Sequence, residues 1–227
     1  MSHVLPLLSN QLPHHLNGIN LILNLFMVGG VIAASISGVF RAVEARMDIT
    51  GAILLAFINS NAGGTVRDLI LNTTVFWIAD QFYIWITFIV GIITFIIVYF
   101  KNKVIGSRKL HKLIIVTDAM GLAAFCLAGV QKSIAIGESP SIAIMMGVWT
   151  AIGGGVAADV IANRVPLVFS QELYMTVAFL GALCYLLLVT LLGMNPAIAS
   201  IFAVFIMISL RLYSVKYKLK LPIVKNR

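Results

Sequence analysis

The stretch FINSNAGGTVRDLIL, residues 57–71, lies inside an apolar segment, yet it carries Asn59, Ser60, Asn61, the pair Gly63 and Gly64, and the adjacent charges Arg67 and Asp68. A helix crossing lipid avoids such residues. Glycine costs a helix about 1 kcal/mol relative to alanine, and a charge inside a membrane is expensive unless paired or hydrated. A second stretch, TAIGGGVAADVIAN, residues 150–163, repeats the pattern with Gly153, Gly154, Gly155 and Asp159. A shift of 91 residues lays one on the other without a gap. The same shift pairs Gly30 with Gly121, Ala33 with Ala124, Gly38 with Gly129, Asn72 with Asn163, Tyr83 with Tyr174 and Phe88 with Phe179. Arg41 meets Lys132, which preserves the charge. Arg67 meets Ala158, which does not.

Hydrophobic residues make up 60% of the 227-residue chain and charged residues 11%, whereas soluble domains carry about a quarter charged. A span needs roughly 20 apolar residues, and seven segments qualify: about 21–42, 51–72, 83–100, 113–133, 141–163, 172–192 and 195–215. The expected fold is therefore an all-α membrane protein with seven transmembrane helices. Three spans per repeat is an odd number, so the second copy enters from the opposite side. The repeats, residues 21–100 and 113–192, are inverted, and the seventh helix, 193–215, stands outside them. Inverted repeats with interruptions in matching helices point to a transport pathway at the repeat interface.

Net charge is +8. Seven spans put the termini on opposite sides, and fourteen of the sixteen Lys and Arg fall on one of them. They cluster near span ends, in the loop 101–112 and in the tail 216–227; Arg67 and Lys132 stand on the other side. The positive-inside rule places the C-terminus in the cytoplasm and segment 1–20 outside. This distribution also argues against nucleic acid as a partner. The basic tail fixes topology, with anionic lipid as a further partner it suits. Arg41 and Lys132, at span ends, are placed to snorkel. Cys126 and Cys184 lie in apolar runs and read as packing residues.

The glycines predict kinks in spans two and five, at Gly63 and Gly64 and at Gly153, Gly154 and Gly155. A break frees backbone groups that survive in a membrane only inside protein or beside water. The alternative is close helix packing, which small residues also permit. Asn59, Asn61, Arg67, Asp68, Asp159 and Lys132 are candidates to line an ion pathway. Asp68 and Asp159 have a capping role as the alternative, and Arg67 need not pair with its neighbour. Asp118 lies one turn into span four. Tyr83 and Tyr174 fit interfaces or packing. A break presents carbonyls at one end and amides at the other, so it does not itself select the sign of the ion. The chain has no nucleophile beside a base, no metal cluster and no GxxxxGK[ST] loop. No catalytic residue and no cofactor are expected, and an enzyme is the least supported class.

The motifs GGTVRD and GGGVAAD, with NRVPLVFSQELYMTVAFLGALCYLLL at 163–188, resemble the prokaryotic branch of the TRIC family, the trimeric intracellular cation channels. The resemblance runs from about residue 22 to 215. It implies a homotrimer with one pathway per protomer between the inverted repeats, beside the kinked second and fifth helices, and potassium as the permeant ion. Carried over by motif, Arg67, Asp68 and Asp159 stand beside the pore, with Lys132 in span four. The sequence departs from the pattern at Ala157–Ala158–Asp159, where related bacterial chains often place an arginine. Related bacterial sequences are also labelled glycine transporters, which keeps a secondary transporter of a small solute as the alternative.

Overall fold

The computed structural model describes residues 18–100, 108–170 and 173–219. The segment 1–17, most of the basic loop and the tail beyond residue 219 lie outside the described residues, and with them the expected lipid contact at Lys220, Lys225 and Arg227. The helices are α1 (Gly18–Glu44), α2 (Ile49–Ile70), α3 (Phe76–Ala79), α4 (Phe82–Phe100), α5 (Arg108–Ala135), α6 (Pro140–Ile161), α7 (Leu167–Ser170), α8 (Tyr174–Thr190) and α9 (Pro196–Lys216). Both ends of α2, of the short α3 and of the C-terminus of α1 recur 91 residues later in α6, α7 and α5.

The shared boundaries have shared causes. Asp48 caps α2 by accepting from the Gly51 amide at 2.8 Å, and its repeat mate Ser139 caps α6, with Pro140 at the first helical position. At the other end Asn72 and Asn163 take left-handed conformations, with φ of 50° and 53°. The next amides, of Thr73 and Arg164, donate back to the carbonyls of Asp68 and Asp159 at 2.9 and 2.8 Å. These are Schellman closures, and asparagine is among the few side chains that tolerate the conformation. The recurrence of Asn72 and Asn163 is thus a matter of helix ends.

Among the described residues six helices are long and apolar enough to cross a membrane, so the chain is a multi-pass membrane protein. The expected seventh span is not met by length. α8 has 17 residues because its start is cut at Leu173, whose φ of 35° is incompatible with a continuing helix. The outer face of α4 is a row of exposed Ile89, Ile93, Ile97 and Phe100, the pattern of a lipid-facing helix. The larger core joins α5, α6, α8 and α9 around Leu122, Leu127, Val130, Val177 and Met207. Another, around Val39, Leu55 and Ala158, joins α1 and α2 to α6.

No helix break marks the glycines expected to kink spans two and five, and these glycines have a use in packing. α2 and α6 each run as one uninterrupted α-helix through their glycines. What glycine supplies is closeness. A methyl group on Gly63 would overlap the carbonyl oxygen of Thr150, and one on Gly154 would overlap that of Asn59. Thr150 is the repeat mate of Asn59, as Gly154 is of Gly63, so one crossing is made twice. Gly153 packs in the same place, where an added Cβ would lie 3.0 Å from the Gly63 Cα. Absence of a side chain lets the backbones touch without breaking either hydrogen-bond ladder. The same device recurs within each repeat: a Cβ on Gly38 would lie 2.5 Å from the Leu55 carbonyl oxygen, and one on Gly129 2.6 Å from that of Met146.

Candidate functional site

The α2–α6 crossing is flanked by two ionic clusters, one near the C-terminus of each helix. At the first, Asp68 is fully buried and its Oδ1 receives the Lys132 ammonium and the Arg67 Nε, each at 2.7 Å. Its Oδ2 accepts from the Phe76 amide at 2.8 Å. At the second, the Oδ1 of Asp159 receives Arg41 Nη1, and its Oδ2 accepts from the Leu167 amide at 3.1 Å. Phe76 and Leu167 are repeat mates, so each aspartate also caps the short helix that follows.

The pairing is reciprocal across the repeats. Arg41 of the first repeat binds Asp159 of the second, and Lys132 of the second binds Asp68 of the first. Neither basic residue snorkels freely as its position at a span end suggested. Arg41 is 2% exposed, and the Lys132 side chain, 27% exposed, reaches inward to Asp68. Arg67 and Asp68, expected to point apart, are hydrogen-bonded, because the flexible guanidinium arm folds back to the neighbouring carboxylate. Arg67 also lies 5.8 Å from the centroid of the Phe76 ring.

The Asp159 cluster contains more than the repeat predicts. Arg41 Nη2 donates to Asp118 Oδ1 at 3.0 Å, and the Tyr174 hydroxyl donates to the same oxygen at 3.1 Å. The Arg211 guanidinium, from α9, stacks 4.6 Å from the centroid of the Tyr174 ring, within the range of a cation–π contact. Arg41, read from sequence as a span-end charge, Asp118, placed one turn into span four, and Tyr174, read as an interface or packing residue, are therefore one network. The signal available beforehand was the recurrence of basic and acidic residues at the same offset. Asp118 and Arg211 carried no such signal.

The asparagines divide. Asn59 is buried at the crossing, where its Nδ2 donates to the Ala34 carbonyl at 2.7 Å. Asn61 points to α4 instead, donating to the Phe57 carbonyl and to Ser60 Oγ, and at 3.4 Å to Thr87 Oγ1. The glycines divide too. Gly155 faces the polar network: a methyl group there would meet Arg41 Nη2, Asn59 Oδ1 and the Tyr174 hydroxyl at 3.6–3.8 Å. Its mate Gly64 faces the Phe76 ring, 2.6 Å from where a methyl group would stand. Beside Gly155 is a cavity of about 10 Å³ bounded by Asn59, Asp118, Ala151 and Tyr174. That volume accommodates about one water, so this part of the seam is closed to a hydrated ion.

A model of the family described as glycine transporter matches the chain twice, over residues 24–99 and 115–190, with the second match beginning 91 residues after the first. A UPF0126 membrane protein of Vibrio cholerae is 35% identical over 194 residues, covering 85% of this chain and 79% of that protein. The UPF0126 inner membrane protein YadS of Escherichia coli K12 is 32% identical over 195 residues, covering 85% of this chain and 91% of YadS. Among solved structures, one described as giving the basis for conductance through TRIC cation channels superposes with a TM-score of 0.77 at 29% identity, covering 90% of this chain and 98% of its own. The TRIC trimeric intracellular cation channel orthologue from Rhodobacter sphaeroides superposes at 0.79 with 29% identity, covering 87% and 99%.

Proposed function

The chain belongs to the glycine transporter family and to the UPF0126 membrane proteins, and from that premise we propose that it is a potassium-permeable channel for monovalent cations, assembled as a homotrimer with one pathway per protomer. The observation that carries this is the superposition, over nearly the whole chain and at 29% identity, on structures of TRIC cation channels. The pathway runs along the seam between the repeats. It is pinched where Gly63 and Gly154 bring α2 and α6 into backbone contact, and it is bounded at its ends by the clusters of Asp68 and Asp159. Opening is a small separation of the two helices at that crossing, a rigid-body or hinge change of the kind by which packed interfaces switch. The distribution of Lys and Arg puts the Asp159 end and the C-terminus in the cytoplasm.

The family's description favours a second class, a carrier of a small solute such as glycine. The two differ in rate and coupling. Purified protein in a planar bilayer with a potassium chloride gradient is expected to give unitary, cation-selective current steps. Saturable, ion-coupled glycine uptake by vesicles without unitary current would replace the channel by the carrier.

A further inference from the structure

A perfect inverted repeat would make the two ends of the seam equivalent, and three of the substitutions that prevent it stand at the two clusters. Where the first repeat has Met27 the second has Asp118, where it has Arg67 the second has Ala158, and where it has Phe76 the second has Leu167. At the Asp68 end the Phe76 ring fills the space beside Gly64. At the Asp159 end the aromatic group beside Gly155 is Tyr174, whose hydroxyl lies 3.8 Å from where a methyl group would stand, and the cavity remains. One residue of that cavity is chemically incomplete. Asp118 is 7% exposed; its Oδ1 is taken by Arg41 and Tyr174, but its Oδ2 has no hydrogen-bond partner. Buried carboxylate oxygens are almost always satisfied. This one requires a donor or a cation, and among the described residues no protein atom supplies it.

We propose that Asp118 Oδ2 marks a binding site for a single monovalent cation stripped of its waters; this rests on the channel reading for its role as a stopping point in permeation. The space suits a particle the size of one water, and a bare potassium ion is about that large. Asn59 Oδ1 and the Tyr174 oxygen each lie 3.8 Å from where a Gly155 methyl group would stand, with Arg41 Nη2 at 3.6 Å, so the cavity that Asp118 lines also offers two neutral oxygens to replace lost hydration. The charges agree. The groups facing Asp118 are Arg41 from α1, Asp159 from α6 and Arg211 from α9 beyond Tyr174. With Asp118 itself the cluster is neutral, whereas Arg67, Lys132 and Asp68 leave the other end with one positive charge in excess. A cation is therefore held at the Asp118 end rather than the Asp68 end. A neutral surround with one free carboxylate oxygen suits a monovalent ion and is too weak for a divalent one.

The test has two arms. Thallium(I) resembles potassium in size and charge and scatters anomalously. Crystals of the wild-type protein grown in a thallium salt are expected to show an anomalous peak in direct contact with Asp118 Oδ2; no peak there, the result if water alone fills the cavity, overturns the site. In bilayers Asp118→Asn is expected to lower unitary potassium conductance on the order of tenfold, the scale of removing one partly screened charge a few ångströms from an ion, and Asp118→Glu to retain most of it. Unchanged conductance and reversal potential in Asp118→Asn overturn its role in permeation. A thallium peak in a protein that gives no unitary current leaves the site and removes the channel; current without the peak does the reverse. The diffraction arm uses the unaltered chain, so it does not depend on a variant folding.

Discussion

The Asp68 end and the Asp159 end are built from the same repeat and do different things with it. Each holds an aspartate in the last turn of a long helix, bonded to the amide of a short helix and to a basic residue from the opposite repeat. At the Asp68 end the basic partner is a lysine, partly exposed, and Arg67 provides a second bond from the adjacent position. At the Asp159 end the partner is a buried arginine bridging two carboxylates, and an open cavity stands where the other end has the Phe76 ring. Duplication supplied the frame. A few unmatched residues made one end a sealed, net-positive cluster and the other a neutral one with an unmet acceptor.

The largest effect is expected from breaking the buried arginine. Arg41→Ala removes the guanidinium that bridges Asp118 and Asp159, and losing one partner of a buried ion pair costs about 3–5 kcal/mol. Lys132→Ala leaves Asp68 its bond to Arg67 and removes only a partly exposed lysine, for which about 1 kcal/mol is the upper scale. Thermal unfolding in detergent should therefore fall steeply for Arg41→Ala and slightly for Lys132→Ala; equal losses would contradict the stated inequality of the two ends.

A smaller effect separates two adjacent glycines. Gly154→Ala drives a methyl group into the Asn59 carbonyl and forces the crossing helices apart, an overpacking cost of about 1–3 kcal/mol. Gly155→Ala meets only ordinary contacts, so its thermal stability should stay close to wild type while unitary conductance drops. If both destabilise equally, the cavity beside Gly155 is not open in solution.

Much of this fold is legible in the chain. The offset of 91 residues is carried by residues that a membrane helix tolerates only for a reason, and it locates both long crossing helices. The use of the glycines was not legible. A missing side chain permits a kink and a close crossing equally, and only the partner helix, remote in sequence, decides between them. The site divides in the same way. Asp68, Asp159, Arg67 and Lys132 stand out because they recur or sit uneasily in lipid. That Arg67 folds back onto Asp68 depends on rotamers that sequence spacing does not determine. Asp118 and Arg211 have no repeat mate, and Tyr174 reads as packing until its hydroxyl is seen on Asp118. The short helices α3 and α7 follow from carboxylates accepting the amides of Phe76 and Leu167, contacts eight residues along the chain that no periodicity announces.

The claim that everything else depends on is that cations pass along the seam beside Gly155. The direct measurement is potassium current through Gly155→Cys, with Cys126 and Cys184 replaced by alanine, before and after a positively charged methanethiosulfonate reagent. The account predicts that unitary current is present at first and is abolished or sharply reduced by modification, because the added ammonium lodges between Arg41, Asn59 and Tyr174. Current that persists unchanged after the thiol is shown by mass spectrometry to be modified would place the pathway elsewhere.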